Sequence, residues 1–346
     1  MSPTGALAVC QSGYEGHLVR ETEGLGLAAT ESGPGWMLAG PLSEAEGGTP
    51  FERLQGAAFP HSILEAPEVI SGDRVNELAH GIVELFADGL RGERIEGSWP
   101  CVFAGAQEAA GLGRRVAAVE AAFHGLLKRK LGRIARLASA DKPRVGVARG
   151  LFVWFTGFGR AHAARRAYFN GPSRMADDDA APSRSYLKVE ESYAIIGLEP
   201  RPGESVCDLG ASPGGWSYSA AKRGARVVAV DNGPLKGGAL GHPLIDHRRA
   251  DAFGFSPGKD AVYDWLFCDL LEDPHKVLQL VVLPWLSCGW CRRFVINLKF
   301  GRVDPIALLG ELRAPDSPFA TNAAGVRIVH LYHDRDELTV TGTVAA

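Results

Sequence analysis

Short apolar runs alternate with longer amphipathic stretches along this chain, and the spacing changes character near residue 180. Before that point, Leu7–Cys10 reads as a strand and His17–Leu25 as an amphipathic helix. Trp36–Leu38 reads as a short strand, and Val75, Leu78, Ile82 and Leu85 fall at helical spacing within Arg74–Ala87. A small α+β unit over 1–90 is expected. Arg114–Leu137 sets Val119, Phe123, Leu126, Leu127, Leu131 and Ile134 on one side, with Lys128, Arg129, Lys130, Arg133 and Arg136 around them. That predicts a basic amphipathic helix, followed by strand-like runs at 144–147 and 151–155.

Residues 171–182, with Gly171-Pro172 and Asp177-Asp178-Asp179, read as a linker. From 183 onward the apolar runs Ser205–Leu209, Arg226–Asp231, Asp264–Asp269 and Arg292–Leu298 are separated by helical stretches at 216–223 and 274–286. Strand alternating with helix predicts an α/β, Rossmann-like, doubly wound parallel sheet, and the last two runs, 326–331 and 338–344, predict an added hairpin.

Charge sharpens the division. The whole chain of 346 residues has Lys+Arg 37 against Asp+Glu 40, a formal net of −3, which alone argues against a nucleic-acid partner. Counted in windows, residues 1–90 hold 3 basic and 13 acidic side chains, 91–174 hold 16 and 5, and 175–346 hold 18 and 22. The middle window therefore carries the positive surface that an anionic partner needs. Arg160, Arg165 and Arg166, interleaved with Phe158, Tyr168 and Phe169, add the mixture of guanidinium and aromatic groups that suits phosphate contact and base stacking. No apolar run of membrane-spanning length occurs and the start lacks a signal-peptide pattern, so a cytoplasmic protein with six reduced cysteines is expected. Cys288-Gly-Trp-Cys291 has no second ligand pair at metal spacing, and no metal site is expected.

The sharpest local signal is Asp208-Leu-Gly210-Ala-Ser212-Pro213-Gly214-Gly215-Trp216, a glycine-rich turn after the first strand of the second sheet. Its spacing is not Gly-x-Gly-x-x-Gly, which disfavours a dinucleotide. The second strand ends in Asp231, placed to accept hydrogen bonds from ribose hydroxyls, and Asp251 and Asp269 end later runs. Acids at successive strand ends suit an uncharged nucleoside better than a polyphosphate, so S-adenosyl-L-methionine is the expected cofactor. Lys188, Asp269, Lys299 and Glu337 fall at element ends near that turn, two cations and two anions that need one another if buried.

The Lys-Asp-Lys-Glu set on this fold resembles that of the FtsJ-related 2′-O-ribose RNA methyltransferases. The segments 182–191, 208–216, 230–234, 289–291, 297–299 and 331–335 are similar to the branch of that family that methylates a cytidine of large-subunit (23S) ribosomal RNA. The likeness is dense over 182–340 and thin over 1–180. It implies a ferredoxin-like unit over 1–90, a THUMP-type RNA-binding unit over 91–170, and a catalytic domain over 183–346. It also implies a role for each matching residue. Lys299 becomes the general base for the ribose 2′-hydroxyl, neutralised by burial beside Lys188, with Asp269 and Glu337 orienting both lysines. Ser185 and the turn through Gly210 and 212–215 hold the methionine end of the cofactor, with Asp208 and Trp216 beside them, Asp231 its ribose and Asp251 its adenine side. The partner is free or pre-ribosomal RNA, bound by a monomer or weak dimer. Two departures stand out: Ser212 replaces a frequent cysteine, and 301–325 reads as a short Pro-rich loop. Methylation of another RNA, of a small molecule or of a protein, and an inactive RNA-binding relative, remain as alternatives.

Overall fold

The structure is a computed structural model, and it describes residues 5–41, 48–106, 109–258 and 261–345. The chain divides into two compact units, 1–170 and 171–346.

In the first unit, β1 (Ala6–Val9), a helix Glu15–Gly24, β2 (Leu27–Gly33), β3 (Trp36–Pro41), a helix Pro50–Leu54 and β4 (Ser62–Glu65) follow in turn. Their order in the sheet, β2-β3-β1-β4 with antiparallel neighbours, is the split βαβ arrangement of a ferredoxin-like fold. The helix Pro50–Leu54 starts cleanly because Thr49 and Glu52 form a capping box with Pro50 at the first helical position.

Further along run β5 (Glu68–Ser71), the helix Val75–Asp88, β6 (Trp99–Gly105), the helix Leu112–Lys130, β7 (Ala138–Ser139), β8 (Val145–Gly157) and β9 (Arg160–Asn170). β4 pairs with β9, so one sheet runs through the whole unit among the described residues. Residue 90, the boundary drawn from charge, falls inside one apolar cluster. There Leu78, Ile82, Phe86 and Leu90 pack with Trp99, Val119, Phe123 and Phe155. The helix expected over 114–137 stops at Leu131, whose backbone leaves the helical region (φ −139°, ψ 60°) ahead of Gly132, and only a short turn Gly132–Ala135 follows.

The second unit holds β10 (Ser205–Leu209), β11 (Arg226–Val230), β12 (Ile245–Arg248), β13 (Tyr263–Cys268), β14 (Cys291–Lys299), β15 (Ala323–Val329) and β16 (Glu337–Val344). The order is β12-β11-β10-β13-β14-β16-β15, parallel except for β16, which lies antiparallel to both β14 and β15. This is the doubly wound sheet with its terminal hairpin. The strand order reverses between β10 and β13, and a ligand crevice opens at such a switch point above the strand carboxyl ends. Residues 171–185 form neither helix nor strand, yet Tyr186 Oη donates to Ala176 O and Tyr218 Oη to Asp178, so the segment lies packed on this unit.

The stretch 301–325 is not a loop. Helices Pro305–Arg313 and Pro318–Asn322 occupy it, capped by Asp304 and Ser317, each with proline at the first helical position. Prolines that read as loop composition are helix starts here, because the first turn has no use for the missing N–H.

Candidate active site

Lys299 closes β14, Glu337 opens β16, and the antiparallel register makes them direct cross-strand partners. Asp269 follows β13, and Lys188 lies in the first turn of the helix Tyr186–Ile196. The four side chains interlock. Lys299 Nζ bonds Asp269 Oδ1 and Glu337 Oε2, while Lys188 Nζ bonds Glu337 Oε1 and lies 3.8 Å from Asp269 Oδ2. All four are largely buried, so each charge depends on the others.

Electrostatics reverse one expectation. Burial alone would lower the Lys299 ammonium, but Asp269 and Glu337, both in contact with it, raise its pKa above the ordinary lysine range. Lys299 is therefore charged at rest and not neutralised by Lys188. Burial would raise Glu337, and the two lysines hold it below the usual carboxylate range.

Sequence reading did not single out the support beneath Lys299. Asn297 lies two residues earlier on the same face of β14, and its Oδ1 accepts from Lys299 Nζ at 2.8 Å. Its amide nitrogen donates to Asp334 Oδ1 and Thr339 Oγ1, both at 3.1 Å, which fixes which end of the amide faces the lysine. Period-two spacing of Asn297 and Lys299 was the available signal. The buried Glu191 accepts from Ser173, Tyr332 and His333 backbone N–H groups and ties the 331–333 segment to the helix that carries Lys188.

The glycine-rich turn lies at the end of β10. Gly210 (φ +80°) and Gly214 (φ +107°) adopt left-handed backbone, and a Cβ at Gly214 would sit 2.5 Å from Ala239 Cβ. Asp231 accepts from Ser212 N at 3.0 Å and from Gly233 N at 2.7 Å, so it orders both sides of the crevice while its remaining lone pairs stay available. Ser212 Oγ donates to Pro234 O, next to the Ser212–Pro213 peptide. The side chain of Ser185 pairs with Ser183 at 2.9 Å beside Gly215. Asp251 caps the turn 252–254 through Phe253 N. Glycine at 210 and 214 keeps side chains from the carboxyl end of β10, where Asp231 is held by two backbone N–H groups.

Two expected cofactor contacts are internal instead. Asp208 is buried, accepts from Ser217 Oγ at 2.6 Å, and burial pushes its carboxyl up to about 7. Trp216 packs against Phe267 in the core and donates its indole N–H to Ser185 O. Both shape the turn from beneath.

Of the basic residues, Lys128, Arg129, Lys130, Arg133 and Arg136 are exposed and form no ion pair among the described residues. Arg160, Arg165 and Arg166 are engaged within the unit. Arg160 holds Glu31 through two hydrogen bonds, and Arg166 contacts Glu65 at 2.8 Å. Arg165 bonds Gly150 O and Glu93 and lies over the Phe86 ring. The acidic first window thus neutralises part of the basic second one, because β2, β4 and β9 belong to one sheet.

Among the described residues no cluster of His, Cys, Asp and Glu could hold a metal, and no helix is long and apolar enough to cross a membrane. The FtsJ-like methyltransferase family model matches residues 181–273, which includes Lys188, the glycine-rich turn and Asp269. Curated relatives called ribosomal RNA large subunit methyltransferase M include those of Marinomonas sp., 37% identical over 192 residues (53% of this chain, 54% of that protein), and Laribacter hongkongensis, 41% identical over 176 residues (48% of each). Over these two the aligned segment spans about half of each relative. The relative from Alkalilimnicola ehrlichii is 31% identical over 359 residues, covering 96% of this chain and 93% of that protein. With likeness at that level over nearly its full length, the chain belongs to the ribosomal RNA large subunit methyltransferase M family.

Proposed function

We infer that the protein transfers a methyl group from S-adenosyl-L-methionine to the 2′-hydroxyl of a cytidine in large-subunit ribosomal RNA, acting in the cytoplasm on free or pre-ribosomal RNA. The observation that carries this reading is the interlocked Lys188, Asp269, Lys299 and Glu337 beside a glycine-rich turn, in a chain of this family. When bound, the cofactor supplies an electrophilic methyl group on a positively charged sulfur. Gly210 and the turn 212–215, with Ser185, would hold its methionine end, Asp231 its ribose hydroxyls and Asp251 its adenine side.

Lys299 is the group that receives the 2′-hydroxyl proton, at Nζ. It must first release its own, since Asp269 and Glu337 keep it protonated at rest. Any further positive charge bound beside the two ammoniums pushes Lys299 back toward its neutral form. Glu337 and Asp269 each bridge both lysines and so fix Nζ in place, and much of the rate gain comes from that alignment. Residues 1–170 serve as the RNA-holding half, a ferredoxin-like unit followed by a THUMP-type unit whose exposed Lys128, Arg129, Lys130, Arg133 and Arg136 meet the phosphate backbone.

The test supplies labelled methyl donor with naked large-subunit RNA, assembled large subunits, transfer RNA or no RNA. Label in the ribose of large-subunit RNA is expected, and label only in protein or in transfer RNA refutes the reading.

A further inference from the structure

Just beyond the tetrad the chain carries two arginines with no ion pair among the described residues. The pairing of β14 with β16 continues one step past Lys299 and Glu337, with Phe300 N donating to Asp336 O at 2.7 Å. Gly301 lies against Asp336, where a Cβ would be 3.5 Å from the Asp336 Cβ. The segments leaving the tetrad therefore run side by side, Arg302 on one and Arg335 on the other. Both residues are exposed, and neither guanidinium has a hydrogen bond or ion pair among the described residues.

Several other arginines of the same unit are matched. Arg223 contacts Glu190 at 2.6 Å, Arg292 Asp264 at 2.8 Å, and Arg293 Glu204 at 3.4 Å. Three acids near Arg302 and Arg335 are occupied elsewhere, since Asp304 caps a helix, Asp334 holds Asn297 and Thr339, and Glu337 holds both lysines, while the Asp336 carboxylate lies beside Gly301. The tetrad itself sums to zero charge, and Asp231 and Asp251 add negative charge along the strand ends. A polyanion approaching such a rim is repelled unless local cations receive it.

We propose that Arg302 and Arg335 bind the phosphates flanking the target ribose and so position its 2′-oxygen at Lys299. A guanidinium offers paired N–H donors that match phosphate oxygens. These are positioning residues, and the proposal rests on the RNA-methylation reading above.

The experiment compares wild type with Arg302→Ala, Arg335→Ala, the double variant and the two lysine replacements, using large-subunit RNA and S-adenosyl-L-methionine. The double alanine variant is expected to raise the KM for RNA roughly tenfold and to lower the slope of log Kd against log salt by about 0.7 to 0.9 per arginine. Affinity for S-adenosyl-L-methionine stays near wild type. Lysine replacements recover the salt slope, since they keep the charge. A double variant with unchanged KM and salt slope, beside an active wild type, overturns the proposal. A wild type that methylates no RNA ribose removes instead the reading beneath it.

Discussion

Glu337 offers one carboxylate oxygen to Lys299, its direct partner across β14 and β16, and the other to Lys188 on a separate helix. One side chain thus binds both ammoniums, and Asp269 faces the same pair from β13. The arrangement holds Lys299 rigidly in place but also keeps it protonated. Position and basicity pull against each other in this site.

That conflict has a pH signature. Because the Lys299 pKa is raised and only the neutral amine can accept a proton, the rate of methyl transfer rises with pH through neutrality into the alkaline range. Glu337→Gln removes one of the carboxylates that raise it, so the rising limb moves to lower pH even as the maximal rate falls. Single-turnover rates from pH 6 to 10 measure this, and an unshifted limb in the variant counts against Lys299 as the titrating group.

Gly214→Ala should abolish cofactor binding. The left-handed φ costs a side chain about 1–2 kcal/mol, and the new Cβ meets the Ala239 Cβ, which cannot swing away. Calorimetric titration with S-adenosyl-L-methionine reads the loss, and wild-type affinity in this variant would exclude the turn from the cofactor site.

The basic residues divide into two kinds with opposite responses. Neutralising the exposed Arg129, Lys130 and Arg133 together lowers the salt slope of RNA binding by about 2 to 3 and leaves thermal stability unchanged. Arg165→Ala instead loses bonds to Glu93 and Gly150 O and its packing on Phe86, costing about 1–3 kcal/mol of stability. Filter-binding and thermal melts separate them, and the reverse pattern refutes the assignment.

His162 makes the first unit acid-sensitive. Its ring is buried with neither nitrogen hydrogen-bonded among the described residues, and burial lowers its pKa to about 4. The unfolded chain takes up a proton near pH 6.5 while the folded one resists, so stability is full above that value and falls as pH drops toward 4, by about 3 kcal/mol. His162→Phe should flatten that part of the pH profile of thermal unfolding, and an unaltered profile would point to other groups.

The second unit was largely legible because its chemistry sits at strand ends, where local sequence and topology coincide. Asp231, Asp269 and Lys299 each close an apolar run, so reading the runs located the residues. What the sequence hid depends on side-chain partners distant along the chain. Arg160 and Arg166 looked free until the sheet brought Glu31 and Glu65 to them, and burial of Asp208 and Trp216 beneath the turn has no local signal. Lys299 follows the same rule: its burial can be read from the sequence, but contact with two carboxylates at once decides the direction of its pKa.

The most direct test digests large-subunit RNA treated with wild-type or Lys299→Ala protein and resolves the nucleosides by mass spectrometry. Wild type should yield 2′-O-methylcytidine, and the variant none above background despite undiminished binding of S-adenosyl-L-methionine. Methylation at wild-type rate by Lys299→Ala, or a methyl group on a base and not on a ribose, would contradict the account.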